Sequence, residues 1–259
     1  ERQVVVGQPR RREQRELLAA DERVHPVDGR DARLDELLGV LPGVGVDRFP
    51  DDGALCVRFD VRPVVDRFAE SPYVSVLDGE WEFQFYERPA AMPDSLADGE
   101  WDSIPVPSVW QLEGYDQTIY SNNSITWDEY DPPLEGDLDP RDGDIEVPET
   151  NPTAVYRREF SVPEGWDGRD VILHFDGVDQ AYFVWVDGEY VGFQQGSKTP
   201  GEFDVTDIVE PGGDHEVTVR VHRFSDAEAL ETIDMFRYSG IFRSVYLVSK
   251  PPVSVRDFY

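Results

Sequence analysis

Asp187 and Gly188 stand between two short runs of β-forming residues, YFVWV at 182–186 and YVGF at 190–193. An Asp-Gly pair tolerates the positive φ angles of a two-residue turn whose twist matches that of paired strands, so this stretch is predicted to be an antiparallel hairpin. Strand patterns recur around it. Trp81, Phe83 and Phe85 alternate with Glu82, Gln84 and Tyr86, the period of a strand with one buried face. Val217, Val219 and Val221 alternate with Thr218, Arg220 and His222. The runs 156–162, 171–175 and 241–248 are rich in β-branched and aromatic residues. Turn chemistry separates them at Thr199-Pro200-Gly201 and Glu210-Pro211-Gly212-Gly213, and Pro105, Pro107 and Gly114 suit edges and turns rather than helices. Seven or more short strands with no long helical period predict an all-β fold, a β-sandwich. The acidic, Pro- and Gly-rich stretch 128–150 is expected to be a long surface loop.

Charge divides the chain. Residues 1–62 hold 11 Arg against 13 Asp or Glu, whereas the remainder holds 13 Lys or Arg against 41 Asp or Glu, and the whole carries −30. A field of that sign repels nucleic acid and anionic lipid, so neither is an expected partner. The carboxylates are spread through strands and turns rather than gathered in a tail. Such a composition resembles that of proteins from organisms with concentrated salt in the cell, where screening removes the self-repulsion. Within the first part, 10–18 and 33–38 have the spacing of short amphipathic helices, while GVLPGVGVDRFPDDG at 39–53 has no clean period. The charge break fits a lineage-specific extension or, better, a stretch read in a wrong frame. No run approaches the ~18 apolar residues of a membrane span. With the single Cys56 there is no intramolecular disulfide, and the expected compartment is the cytoplasm.

The densest chemistry lies in 222–246, HRFSDAEALETIDMFRYSGIFRSVY, between two strand patterns. Ordering a loop so rich in charge and aromatic rings costs conformational entropy, which suggests work at a site. Asp234 and Arg237 have helical-turn spacing for a supporting ion pair, and Arg243 is read as a further support. Trp110, Trp185, Phe236 and Met235 are read as core. Taken alone, Asn122 reads as an Asx-turn residue, and Asp226 as a solvated carboxylate or the cap of AEALE.

Six segments, in this order and spacing, carry a family resemblance: SPYVSVLDGEWEF (71–83), IPVPSVWQLEGYDQTIYSN (104–122), NPTAVYRREFSVP (151–163), HFDGVDQAYFVWVDGEYVGF (174–193), GEFDVT (201–206) and RFSDAEALETIDMFRYSGIFRSVYL (223–247). They resemble the N-terminal sugar-binding domain of family 2 glycoside hydrolases, and within that family the large β-galactosidases. The resemblance implies a galactose-binding-domain-like jelly roll at 63–250, after an irregular extension at 1–62 and before the start of an immunoglobulin-like domain at 251–259. It implies retaining hydrolysis of terminal β-D-galactosides in the full-length protein. Both catalytic glutamates then lie in a C-terminal TIM barrel, so no catalytic residue is assigned here and the chain alone is expected to be inactive.

Two positions carry over from the family. Asn122 in TIYSN matches an asparagine that hydrogen-bonds the substrate. Asp226 in RFSD matches an aspartate that touches the galactosyl hydroxyls and helps hold a monovalent cation, sodium, whose other ligands belong to the barrel. The resemblance also allows magnesium in the full-length enzyme, and implies as partners a β-galactoside, the other domains of the same polypeptide, and further copies in a homo-oligomer. Ala227 stands where the family pattern has glycine, and Phe236 where it has tryptophan, which bears on the loop geometry more than on the fold. A stand-alone carbohydrate-binding or subunit-interaction module without catalysis is the alternative reading.

Overall fold

The computed structural model describes residues 71–93, 99–122, 125–139, 144–231 and 234–254, together with three earlier strands. Backbone proximity separates two compact units, Glu1–Ser71 and Pro72–Tyr259. In the first, β1 (Val24–Val27), β2 (Val44–Arg48) and β3 (Leu55–Phe59) form an antiparallel sheet in the order β1-β3-β2. β2 falls inside the 39–53 stretch that lacks a side-chain period; its pairing with β3 defines it. The amphipathic segments at 10–18 and 33–38 and the expected boundary at Pro63 lie outside the described residues.

The second unit begins with β4 (Val74–Val76), β5 (Gly79–Tyr86), β6 (Asp102–Val106), β7 (Ile119–Ser121), β8 (Asp137–Asp139) and β9 (Asp144–Glu146). It continues with β10 (Thr153–Ser161), β11 (Asp170–Phe175), β12 (Ala181–Val186), β13 (Glu189–Gln195) and β14 (Gly201–Asp204). β15 (Asp214–His222), β16 (Met235–Arg237) and β17 (Val245–Lys250) complete it. A six-stranded sheet in the order β13-β12-β15-β10-β5-β6 faces a four-stranded sheet in the order β14-β11-β17-β4, giving the expected jelly-roll β-sandwich. Asp187 and Gly188 have φ of 51° and 78°, the left-handed values that a type I′ turn between β12 and β13 requires.

The core lies between the two sheets. Trp81, Phe83, Tyr156, Tyr182 and Val219 from the larger sheet meet Leu173, Phe175 and Leu247 from the smaller one. Each such side chain contributes about 1.5–3 kcal/mol by leaving water. Trp110 is fully buried in this core, as expected. The strand expected from Ile241 starts only at Val245. Ile241 is buried in the core while its carbonyl accepts from the Ser108 N–H at 2.9 Å, so the chain is crossing between layers there rather than pairing along a ladder.

Within the expected loop at 128–150 the described residues include regular structure. β8 and β9 pair within it, and Trp127 and Tyr130 bury themselves with Ile119 and Phe224 in a second, smaller cluster. The two rings meet Phe224 edge-on at 5.5 and 5.8 Å. Acid and proline dominate the count, but two aromatic anchors are enough to fix the segment's start against the sandwich. Among the described residues no helix is long and apolar enough to cross a membrane.

Candidate functional site

At one end of the sandwich a polar network joins four segments of chain. Glu228 opens the one-turn helix Glu228–Glu231 and is only 4% exposed. Its carboxylate accepts from the backbone N–H of Thr126 at 3.2 Å, from the Thr126 hydroxyl, and from Gln180 Nε2 at 2.9 Å. Gln180 Oε1 in turn accepts from the Ser225 hydroxyl at 2.8 Å, and Ser225 Oγ accepts from the Ala227 N–H at 3.2 Å. Glu231 accepts from the backbone N–H of Ser197 at 2.8 Å and from its hydroxyl. A buried carboxylate is tolerated only when such donors replace its water. Here the donors come from the loop after β7, the turn before β12 and the turn after β13.

Beneath this network lies a buried ion pair. Arg223 donates through Nη1 to the Asp116 carboxylate and to the Gln117 carbonyl at 3.0 Å, and through Nη2 to the Arg237 carbonyl at 3.1 Å. The Tyr130 hydroxyl donates to Asp116, with its oxygen 3.0–3.1 Å from the two carboxylate oxygens, and burial drives that phenol's pKa upward. Asp179 is paired to Lys198 Nζ at 2.6 Å. Burial nevertheless raises the Asp179 pKa, against the lowering effect of Lys198 and with help from Glu231 and Glu228.

The sequence-predicted contacts sit on the solvent side of this network. Asn122 directly follows β7 and is exposed, and Asp226 precedes the short helix and is exposed. Neither side chain has a hydrogen-bonding or ionic partner among the described residues. Asp226 does not cap the AEALE turn with its carboxylate; Ser225 Oγ and the Asp226 carbonyl serve that turn, the carbonyl accepting from Ala229 at 3.2 Å. The Thr126–Glu228 contact ties the loop that follows β7 to the short helix that follows Asp226.

Two supporting roles differ from expectation. Residues 235–237 form a strand, β16, paired with β7, so Asp234 and Arg237 do not have the helical-turn placement that would pair them. Asp234 instead accepts from the Tyr120 hydroxyl, and Arg237 donates to the Glu231 carbonyl at 3.1 Å. Phe236 is 50% exposed rather than core. In a two-stranded ribbon its position opposite Tyr120 points away from the sandwich, and it packs against Tyr120 at 5.4 Å and Tyr238 at 5.6 Å. Met235 is half-buried. Arg243 donates to the carbonyls of Asp176 at 3.3 Å and Lys198 at 3.4 Å, which braces neighbouring loops. Trp185 is also not core: Tyr182, Val184 and Val186 take the inward positions of β12, so Trp185 faces outward and stays half-buried.

A family model described as the sugar-binding domain of glycosyl hydrolases family 2 matches residues 74–251. The chain belongs to glycosyl hydrolase family 2. Among family 2 relatives, a β-galactosidase of Psychromonas ingrahamii is 41% identical over 192 residues, and one of Priestia megaterium is 39% identical over 196. These alignments cover 72% and 73% of this chain but 17% and 18% of those proteins, so the chain spans less than a fifth of the relatives it matches. The family 2 fold is shared with an apo β-glucuronidase structure from Ruminococcus gnavus, at a TM-score of 0.50 and 21% identity, over 71% of this chain and 30% of that one.

A cation shared with this family 2 domain would need oxygen ligands. Among the described residues no group of three or more His, Cys, Asp or Glu side chains is placed to hold a metal. Asp226, exposed and without a side-chain partner among the described residues, is a single carboxylate and does not by itself make a closed metal site. Sequence reasoning missed Glu228, Gln180 and the Asp116–Arg223 pair. Their residue types gave no signal, because an acid in AEALE and another in EGYDQ look like ordinary surface carboxylates until the fold buries them.

Proposed function

We propose that this chain forms one wall of a β-galactosidase active site whose two catalytic glutamates lie in a barrel elsewhere in the polypeptide. Asn122 and Asp226 are the substrate contacts in this reading. The observation that carries it is that Asn122 and Asp226 are exposed, have no hydrogen-bonding or ionic side-chain partner among the described residues, and stand beside segments tied by the buried Glu228 carboxylate. Preorganised but unsatisfied groups of this kind lose little entropy when a ligand arrives. The Asn122 amide both donates and accepts, which suits a sugar hydroxyl, and the Asp226 carboxylate accepts from hydroxyls strongly. The similarity to curated β-galactosidases supports galactose over other sugars. A sodium ion bound at Asp226 would place positive charge beside the sugar oxygens. This chain's own part is to hold the carboxylate rigid, with Ser225 and Glu228 fixing the turn on either side of it.

Retaining hydrolysis needs two carboxylates about 5–5.5 Å apart, one as acid/base and one as nucleophile, and in this reading the barrel supplies both. The chain by itself then turns over no nitrophenyl galactoside in molar salt, and measurable turnover overturns the placement of the glutamates. In the enzyme assembled with its barrel, Asp226→Ala and Asn122→Ala each lower kcat/KM roughly ten- to hundredfold. Asp226→Ala also abolishes any sodium dependence. Unchanged kcat/KM in both variants would sink the assignment.

A further inference from the structure

The outward face of the β7–β16 ribbon is aromatic. Alternation turns Ile119, Ser121 and Arg237 inward, where all three are buried, and leaves Tyr120 and Phe236 opposite each other across the ribbon at 54% and 50% exposure. Both rings are held in place. Phe236 stacks on half-buried Tyr238, with ring planes 9° apart and centroids 5.6 Å apart, and meets Tyr120 edge-on at 5.4 Å. The Tyr120 hydroxyl donates to Asp234. One residue beyond the last pair of the ribbon, Met235 with Ser121, stand Asp234 on one chain segment and Asn122 on the other, so the ring shelf and the candidate substrate contact Asn122 belong to one short element. Phe236 and Tyr238 also border a small polar cleft with Asp179, Lys198 and Glu231. Asp226 lines a separate groove, beside Ile145, Gln195 and Leu230.

We propose that this shelf receives the leaving-group sugar of a galactosyl disaccharide, with Phe236 as the residue that sets the preference. The inference rests on the assignment of Asn122 and Asp226 as substrate contacts and deepens it. A galactosyl ring held by Asp226 occupies the groove side, so a ring stacked on Phe236 is the next one along, across the glycosidic bond. A pyranose carries C–H patches on its faces and hydroxyls round its rim; a face lies against an aromatic ring while the rim reaches polar groups at the margin, here Asn122 and Lys198. Rings already fixed by their neighbours lose little entropy when a ligand stacks on them. Charge narrows the choice: Asp234 and Glu231 lie next to the rings, so a neutral sugar is admitted where an acidic one is repelled. Area points the same way. Two half-exposed rings offer on the order of 200 Å², well short of the ~800 Å² that each partner gives to a stable protein contact.

The test compares β-galactosyl-glucose with methyl β-galactoside in the enzyme assembled with its barrel, since the two share the galactosyl group and differ only at the leaving group. Phe236→Ser is expected to lower kcat/KM roughly tenfold for the disaccharide and less than about twofold for the methyl galactoside. Phe236→Trp, which keeps a ring, preserves the preference. Inhibition by free glucose weakens in Phe236→Ser in step with the disaccharide. An equal loss on both substrates overturns the inference, because a fault in folding or in galactosyl binding acts on both, and unchanged kinetics in Phe236→Ser overturn it as well. Failure of the underlying assignment reads differently: Asn122→Ala and Asp226→Ala then leave both substrates untouched, and this inference falls with it.

Discussion

His222 ends β15 with its ring edge-on to Phe183 at 5.7 Å and Nδ1 at 2.8 Å from the Thr153 hydroxyl. That hydroxyl donates to the Asn151 carbonyl, so Nδ1 carries the proton and donates to Thr153. Burial, with Arg220 adding repulsion, pulls the His222 pKa from 6.5 down to about 4. Between those values the unfolded chain binds a proton that the folded chain refuses. Stability is therefore complete above pH 6.5 and falls by up to about 3 kcal/mol as the pH approaches 4. Asp179 acts in the opposite sense, since its raised pKa favours the protonated folded form on the acid side. Denaturant midpoints at pH 7 and pH 5 should differ less in His222→Gln than in the wild type, and an equal difference would discard the assignment. At Glu228 the change to Ala strands the donors of Thr126 and Gln180 and should cost about 2–4 kcal/mol in urea unfolding under molar salt. Glu228→Gln should cost less, because its amide oxygen still accepts from Thr126. The sequence held no hint of either environment: His222 occupies the polar-looking half of an alternating strand, and Glu228 a turn, AEALE, of two alanines, two glutamates and one leucine.

Among the elements, the β12–β13 hairpin was legible because its turn chemistry is local: Asp187 and Gly188 prefer the φ values they adopt. The β7–β16 ribbon was not. Its strands are three residues each, lie far apart in sequence, and hold alternation too short to separate one face from the other. The consequence was a misplaced Phe236 and a misassigned Asp234–Arg237 pair. Two glycines test how differently backbone constraint arises. Gly188, at φ 78° with open space around its missing Cβ, should lose about 1 kcal/mol as Ala. Gly240, at φ 128°, exchanges backbone hydrogen bonds with Asp179, and a Cβ there would meet the Tyr156 hydroxyl at 2.8 Å and the Ser108 carbonyl at 3.2 Å. Gly240→Ala should cost about 3 kcal/mol or more, since strain and overlap act together, and similar thermal midpoints for both variants would contradict that.

For the whole molecule the dominant quantity is a net charge of −30 on 259 residues. Concentrated salt shortens the screening length to about 3 Å at 1 M, whereas at 10 mM it reaches roughly 30 Å and the carboxylates repel across the sandwich. Near-UV circular dichroism should collapse as salt is dialysed from molar to about 10 mM, and an unchanged spectrum would show that the core outweighs the repulsion. Alternation and turn chemistry are properties of neighbours along the chain, so the sequence by itself determined the β-sandwich, most of its strands and the leading hairpin, while Asn122 and Asp226 were singled out by the family resemblance and not by their local pattern. Burial is a property of what lies across from a residue. Only the tertiary structure decided that Glu228 and Asp116 are inside while Phe236 and Trp185 face out, and that Arg220 lies over Phe183 and Trp185 with no carboxylate among the described residues against it. Segments more than a hundred residues apart, such as Thr126 and Glu228, meet there, and no local pattern records which partner the other segment will bring.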